Sequence, residues 1–259
     1  MNILDTIIEK KREEVVFRKK VKGLEEIKNT TLYSRESFSL VNSLKNSNST
    51  GIIAEFKRKS PSKGNINVHA DVVQVAISYQ EAGAAAISVL TDESFFGGSD
   101  NDLISVRPHL HIPILRKEFI IDPYQVHEAK SIGADLILLI AACLTPLEVS
   151  ELSSLAKSIG LEVLLELHDE DELDHICETV DLVGINNRSL KTFDVNIERS
   201  LMMARRIPHD KLKVAESGID DPQQVRLFRE NGYNAFLIGE NFMKTNDPGL
   251  ALSTFIEKI

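Results

Sequence analysis

The feature that most constrains the fold is a repeat of short apolar, β-branched runs separated by amphipathic stretches. From position 52 onward eight such runs begin about 20 to 34 residues apart, the length of one βα unit. They start near Ile52, Ala86, Ile114, Leu136, Glu162, Leu182, Lys213 and Ala235. Strands that alternate with helices pair in parallel, and eight such units in series close the sheet. The pattern therefore predicts an α/β fold, a (β/α)8 TIM barrel.

Capping signals mark helices between these runs. Apolar residues recur at helical spacing through 71–82, and we also expect helices to begin at Thr145-Pro146, at the capping box of Asp169 with Glu172, and at Asp221-Pro222. A doubly wound open sheet would show the same alternation. Its usual Gly-x-Gly-x-x-Gly loop after the first strand is absent here, which favours the barrel.

The first fifty residues do not follow the repeat. Segments 3–16 and 37–44 have the spacing of amphipathic helices but are too short for a domain. The whole chain has 259 residues, 42% of them hydrophobic, which suits one large barrel. We therefore expect residues 1–259 to form a single barrel domain, of which 1–50 is an N-terminal helical extension packed on the barrel.

Composition and charge exclude several classes of partner. The net charge of 30 − 39 = −9 argues against nucleic acid as the main partner, although a local basic pocket remains compatible with it. The start of the chain lacks the apolar core of a signal peptide, and the longest apolar run, 134–144, is too short to span a membrane. With only two cysteines, Cys143 and Cys177, the sequence predicts a cytoplasmic protein without disulfides.

Five of the apolar runs end in polar residues, where barrels carry their catalytic groups. Glu55 and Lys57 end the first run on one face, Lys117 ends the third, and Glu166 lies between leucines in the fifth. The sixth and seventh runs end in Asn186-Asn187-Arg188 and Glu216-Ser217-Gly218. Acids and lysines in one pore indicate proton transfer, although salt bridges of purely structural value would use the same residues.

Glycines after the last two strands predict a phosphate site. Ser217-Gly218 and Gly239 follow the seventh and eighth runs, where barrels bind phosphate through backbone N–H groups, and Lys57 and Lys63 could supply countercharge. His168 could join nearby acids around a metal, but lysines in the same mouth would oppose a divalent ion. The basic segment 57–63 lacks interleaved aromatic residues, so an anionic small molecule is a simpler partner than nucleic acid. We expect no metal and no cofactor.

Several segments in combination resemble the indole-3-glycerol-phosphate synthase family, barrel enzymes of tryptophan biosynthesis. The resemblance covers essentially the whole chain and is most specific in the segments 53–64, 88–92 with 96–98, 113–119, 166–168, 185–188 and 215–219. One departure is Asn241 after Gly239-Glu240, where the family often has a small hydroxyl residue.

The resemblance implies a cofactor-free ring closure of 1-(2-carboxyphenylamino)-1-deoxyribulose 5-phosphate to indole-3-glycerol phosphate, with loss of carbon dioxide and water. Lys117 would be the general acid, Glu166 would serve the dehydration, and Glu55 and Asn186 would hold the substrate, with Glu55 also orienting Lys117. The phosphate would lie on Lys57, Ser217, Gly218 and Gly239. The carboxylate end would lie among Arg188, Ser60 and Asn186, with Glu216 completing the polar rim and Phe119 and Pro61 contacting the aromatic ring.

Two alternatives remain. A barrel similar to phosphoribosylanthranilate isomerase would more naturally use a Cys and Asp pair at strand ends, and Cys143 lacks the matching Asp. A non-catalytic barrel that binds a phosphosugar or a partner enzyme would not need both Lys117 and Glu166. Association with other enzymes of tryptophan biosynthesis is compatible with either reading.

Overall fold

Eight parallel strands form one closed barrel. The computed structural model describes residues 3–61, 63–188 and 194–259, so Ser62 of the basic segment lies outside it. Each strand pairs with its neighbours in chain order, and the last pairs with the first. The strands are β1 (Ile52–Phe56), β2 (Ala86–Leu90), β3 (Ile114–Lys117), β4 (Leu136–Ile140), β5 (Glu162–Leu167), β6 (Leu182–Asn186), β7 (Leu212–Glu216) and β8 (Ala235–Ile238). The predicted barrel is confirmed, with β7 beginning one residue earlier than expected.

Helices follow the strands and cover the outside of the barrel. Those after β1 to β4 are α4 (Val72–Glu81), α5 (Glu93–Phe96), α6 (Asp100–Val106), α7 (Pro123–Ile132) and α8 (Pro146–Ser158). Those after β6 to β8 are α9 (Ile197–Ala204), α10 (Pro222–Glu230), α11 (Glu240–Met243) and α12 (Pro248–Ile256). A two-stranded hairpin, Lys59–Ser60 with Gly64–Asn65, follows β1.

The capping predictions are confirmed at Thr145 and Asp221, and Asp71 also caps the helix predicted over 71–82; each side chain accepts from backbone N–H groups of the helix it begins. The expectation of an α-helix after Asp169 was wrong. The capping box with Glu172 is present, but it opens a 3-10 helix, Glu170–His175, in which no residue is buried. Without a buried apolar face, this short segment has little packing to draw it into a longer α-helix.

The N-terminal extension contains α1 (Ile3–Val21), α2 (Leu24–Lys28) and α3 (Leu40–Lys45). Helix α1 is five residues longer than predicted, and α3 begins three residues later. Helix α3 lies across the N-terminal end of the barrel, where Leu40 is fully buried against the apolar side chains of the barrel interior. The backbone N–H groups of Leu40 and Val41 donate to Glu162 at the start of β5.

Apolar packing thus closes the N-terminal end of the barrel and leaves the C-terminal end open. Inside the barrel, a cluster that includes Ile53, Leu115, Leu138, Leu164 and Val214 fills the lower layers. A second, larger cluster fills the space between the strands and the surrounding helices. In the described ranges, none of the helices combines the length and the apolar character that crossing a membrane requires.

Candidate active site

A cavity of about 580 Å³ lies at the C-terminal end of the barrel. Four charged side chains enter it from alternate strands, as expected for one layer of a TIM barrel. They are Glu55 on β1, Lys117 on β3, Glu166 on β5 and Glu216 on β7. The end-of-strand prediction is therefore confirmed in the sense that the structure brings these residues together. Asn186 and Arg188 at the end of β6 also line the cavity.

Lys117 lies between two carboxylates. Its Nζ is 2.6 Å from Glu216 Oε2 and 3.0 Å from Glu166 Oε2, and Asn186 Nδ2 donates to the other oxygen of Glu166 at 3.0 Å. Burial alone would lower the pKa of Lys117, but Glu166 and Glu216 outweigh it and hold the pKa above its usual value. The lysine is therefore a protonated donor at neutral pH.

The two carboxylates around Lys117 are not equivalent. Burial would raise the pKa of Glu166, but Lys117 and His168 hold it well below the usual range. Burial has the largest effect on the pKa of Glu216. Lys117 would lower this pKa, but burial and the neighbouring charge of Glu166 outweigh it and raise the pKa to about 7. One acid of the pair is therefore held as a carboxylate, and the other takes up a proton near neutrality.

The depth of Glu216 differs from the sequence expectation. The resemblance implied a place on the polar rim, but Glu216 is 1% exposed and bonds directly to Lys117. Gly184 on β6 makes this position possible, because a Cβ there would lie 2.1 Å from Glu216 Oε1. Because glycine at position 184 has no side chain, the Glu216 carboxylate can reach the centre of the mouth.

Glu55 also has a different nearest partner from the one implied. Its Oε1 accepts a hydrogen bond from Lys57 Nζ at 2.6 Å, whereas the direct partners of Lys117 are Glu166 and Glu216. Gly239 leaves room for this carboxylate, since a Cβ there would lie 2.6 Å from Glu55 Oε1. The direct lysine partner of Glu55 is therefore Lys57 rather than Lys117.

The predicted phosphate residues lie together at the ends of β7 and β8. Ser217 and Gly218 both have positive φ, 66° and 68°, and for serine this conformation is strained. Together with Gly239 they line the same side of the cavity. Glu240 lies between two cations of this region, with Lys63 Nζ at 3.6 Å and Arg188 Nη2 at 3.9 Å.

An apolar wall faces these charges. Phe119 and Phe96 pack with ring centroids 6.0 Å apart, and both line the cavity together with Pro61. Ile3, Leu4 and Ile7 of α1 complete the wall. Ser60 is also on the lining. The resemblance implied Phe119 and Pro61 at the aromatic ring and Ser60 at the carboxylate end, but it gave no role to Phe96 or to α1.

Lys11 was also missed. It is 2% exposed and its Nζ is 2.7 Å from Glu14, 2.9 Å from Asp92 and 3.0 Å from Glu118. It thereby ties α1 to the residues that follow β2 and β3. The available signal was its position four residues after Ile7, on the buried face of an otherwise charged helix.

His168 is 3% exposed and lines the cavity, with Nε2 3.1 Å from Glu166 Oε1. The sequence raised it only as a metal ligand. Over the described ranges, no group of three or more His, Cys, Asp or Glu side chains is arranged to hold a metal ion. The acids of the mouth have lysine ammonium groups as their counterions instead.

Comparison with known families identifies the group to which this site belongs. A family model described as indole-3-glycerol phosphate synthase matches residues 4–255. The chain belongs to the indole-3-glycerol phosphate synthase family. The resemblance noted from the sequence is confirmed.

Relatives of the same name match along nearly the whole chain. Indole-3-glycerol phosphate synthase of Bacteroides thetaiotaomicron is 47% identical over 258 residues, 100% of this chain and 99% of the relative. That of Polaromonas sp. is 43% identical over 256 residues, 97% of each chain.

Solved structures of tryptophan synthase from Pyrococcus furiosus share the barrel at lower identity. A mutant alpha-subunit and a chain of the α2β2 complex each have a TM-score of 0.58, at 14% and 17% identity. Both cover 81% of this chain and 97% of the solved chain. At this identity the likeness shows the fold alone.

Proposed function

We propose that this chain closes the indole ring: it converts 1-(2-carboxyphenylamino)-1-deoxyribulose 5-phosphate to indole-3-glycerol phosphate, with loss of carbon dioxide and water, as a carbon–carbon lyase without a cofactor. The observation that carries the proposal is the ammonium of Lys117, whose side chain is 16% exposed and which is held between Glu166 and Glu216 inside the cavity. Membership of the indole-3-glycerol phosphate synthase family supports the same reaction.

Lys117 has the properties of the general acid. When the aromatic carbon attacks the ketone, negative charge develops on the ketone oxygen, and a positioned ammonium can neutralise it and transfer a proton. The raised pKa of Lys117 keeps that proton available at neutral pH. Glu166, whose lowered pKa keeps it ionised, can accept the proton that leaves in the dehydration.

The substrate carries two anionic ends, and the cavity offers cations and donors for both. We assign the phosphate to the backbone of Ser217, Gly218 and Gly239, with Lys57 as countercharge. Lys57 already donates to Glu55, but an ammonium has three N–H groups and can serve both.

We assign the carboxylate end to Arg188, Ser60 and Asn186, because Arg188 offers a planar pair of donors that suits a carboxylate. The aromatic ring then lies against Phe119 and Pro61, with Phe96 packed beside Phe119 on the cavity lining. Glu55 and Glu216 remain close to the reacting carbons, where Glu55 would hold the substrate and Glu216 would keep Lys117 in place.

The isomerase alternative is disfavoured by Cys143. This cysteine lies in the turn after β4, and burial raises the pKa of its thiol to about 12, so it is protonated at neutral pH and unsuited to act as a base. A cytoplasmic location, the absence of nucleic acid as a partner, and association with other enzymes of tryptophan biosynthesis stay predictions.

The test is to mix the purified protein with the carboxyphenylamino-deoxyribulose phosphate and follow indole fluorescence. We expect turnover that a chelator does not reduce, and a Glu166→Gln variant that turns over about 10² times more slowly or worse. Bound substrate without any indole signal would instead support the non-catalytic binding barrel. Dependence on an added divalent metal would contradict the cofactor-free mechanism.

A further inference from the structure

His168 is a buried imidazole whose ring nitrogens lie between two carboxylates. Nε2 is 3.1 Å from Glu166 Oε1 and Nδ1 is 3.9 Å from Glu172 Oε2. Neither ring nitrogen makes an aligned hydrogen bond with the described residues. A buried polar group normally has a partner, so a ring that lines the substrate cavity without one calls for an explanation.

Glu172 connects the other side of this ring to the surface. Its side chain is 14% exposed, against 6% for Glu166. Its Oε2 also accepts hydrogen bonds from the backbone N–H groups of His168 and Asp169, which fixes the carboxylate beside the imidazole. Glu172, His168, Glu166 and Lys117 therefore form a line of titratable groups, with successive polar atoms 3.0 to 3.9 Å apart, from the partly exposed Glu172 to the centre of the mouth.

The proposed reaction needs such a line because its protons do not balance within the active site. The ketone oxygen takes one proton when the carbon–carbon bond forms, and the resulting hydroxyl takes a second to leave as water. Only one proton comes back, from the carbon whose C–H electron pair forms the ring double bond. The carboxylate leaves as neutral carbon dioxide, so each turnover takes up one proton from solvent.

We propose that His168 carries this proton, accepting it on the Glu172 side and passing it through Glu166 to Lys117. The inference rests on the proposed function. It needs only a proton from water as co-reactant, and it gives a role to an imidazole that lies 3.1 Å from Glu166 without an aligned hydrogen bond: the ring can exchange a proton with either carboxylate because it is fixed to neither. Imidazole suits this step because it gains and loses protons near neutral pH.

The charged groups that face the ring are Glu166 on β5, Glu172 in the 3-10 helix that follows His168 and Glu216 on β7, with Lys117 beyond Glu166. Burial alone would lower the pKa of His168, but these carboxylates raise it above its ordinary value. These carboxylates therefore favour the protonated ring over the neutral one, and the ring hands its proton on when Glu166 becomes a stronger acceptor.

The experiment compares the full-length wild type with His168→Ala under saturating substrate, with and without added imidazole. We expect kcat of the variant to fall about tenfold or more with little change in KM, and imidazole to restore part of it. Substituted imidazoles of different pKa should shift the pH at which rescue is largest. His109→Ala, which removes an exposed imidazole, is the matched control and should show neither loss nor rescue.

A second variant guards against a folding defect in the first. Glu172→Gln keeps an oxygen for the two backbone N–H groups but cannot exchange a proton, and we expect a lower kcat with the His168 ring intact. An active wild type combined with unchanged kcat in both variants would overturn the proton path. So would a slow, folded His168→Ala protein that no imidazole restores. Failure of the wild type to make indole product would overturn the proposed function itself.

Discussion

Both ends of the barrel contain buried carboxylates, but the hydrogen bonding of these carboxylates differs between the ends. At the N-terminal end Asp135, immediately before β4, is fully buried and each of its oxygens accepts two hydrogen bonds. Arg35 and the Phe38 N–H donate to Oδ1, and Arg107 and the Ile114 N–H donate to Oδ2, all within 2.6 to 2.8 Å. Both oxygens of the Asp135 carboxylate therefore have all the hydrogen-bond donors they can accept, and we call such a carboxylate saturated.

The C-terminal end shares its cations among several carboxylates and leaves one of these carboxylates incompletely satisfied. Glu55, Glu166 and Glu216 share the two ammonium groups of Lys57 and Lys117, and Oε1 of Glu216 has no hydrogen-bond partner among the described residues. A carboxylate with a full set of hydrogen-bond donors stabilises the fold. A carboxylate that can still gain or lose a proton can instead take part in catalysis. The substitution with the largest expected effect removes Lys117, whose ammonium is shared by Glu166 and Glu216.

Lys117→Met should lower kcat by about 10⁴, because it removes both the general acid and the charge that keeps Glu166 ionised. The free energy of unfolding should fall by less than the loss of a saturated charge costs, because the carboxylates of Glu166 and Glu216 that lose Lys117 can take up protons instead of staying buried as unpaired ions. Steady-state kinetics and urea unfolding measure the two effects. Near-normal turnover would remove Lys117 from its role, and unfolding would break the comparison.

Asp135→Asn should have the opposite pattern. The amide places N–H groups against Arg107 or against a backbone N–H, so the loss of a buried, saturated charge should cost about 3 to 5 kcal/mol of unfolding free energy. Activity per folded molecule should stay that of the wild type, since the residue lies at the closed end. Asp210→Asn, on the exposed surface, is the control and should leave urea unfolding unchanged. A catalytic loss without destabilisation would contradict the assignment.

The contrast between the ends also explains what the sequence could predict. Strands and caps follow from local patterns, so the eight strand starts and the caps at Thr145 and Asp221 were predictable. The mouth residues followed from one topological rule, that barrel strands end at the same face. At the closed end, by contrast, nothing local indicated that Arg35 would meet Asp135 across a hundred residues.

Pairings within the mouth could not be predicted either, because they depend on which side chains reach the same depth. Glu216 lies deep only because Gly184 on the neighbouring strand has no Cβ, and Glu55 has room only because of Gly239. Lys11 binds carboxylates that lie more than eighty residues away in the chain. Such contacts are set by packing in three dimensions, and only their residue types were visible in the sequence.

The smallest expected effect concerns Glu216 and the pH dependence of stability. Burial and the charge of Glu166 raise its pKa from 4.5 to about 7, so between these values the folded protein holds a proton that the unfolded chain has released. Wild-type stability should therefore fall as the pH rises from about 4.5 to about 7.

Glu216→Gln cannot lose this proton, and its stability relative to wild type should rise by roughly 1 to 3 kcal/mol from pH 5 to pH 8. Urea unfolding at both pH values measures the change, with Glu230→Gln on the surface as control. Parallel curves for wild type and Glu216→Gln would mean that Glu216 is already ionised at pH 5, and that the open end satisfies its carboxylates as fully as the closed end does.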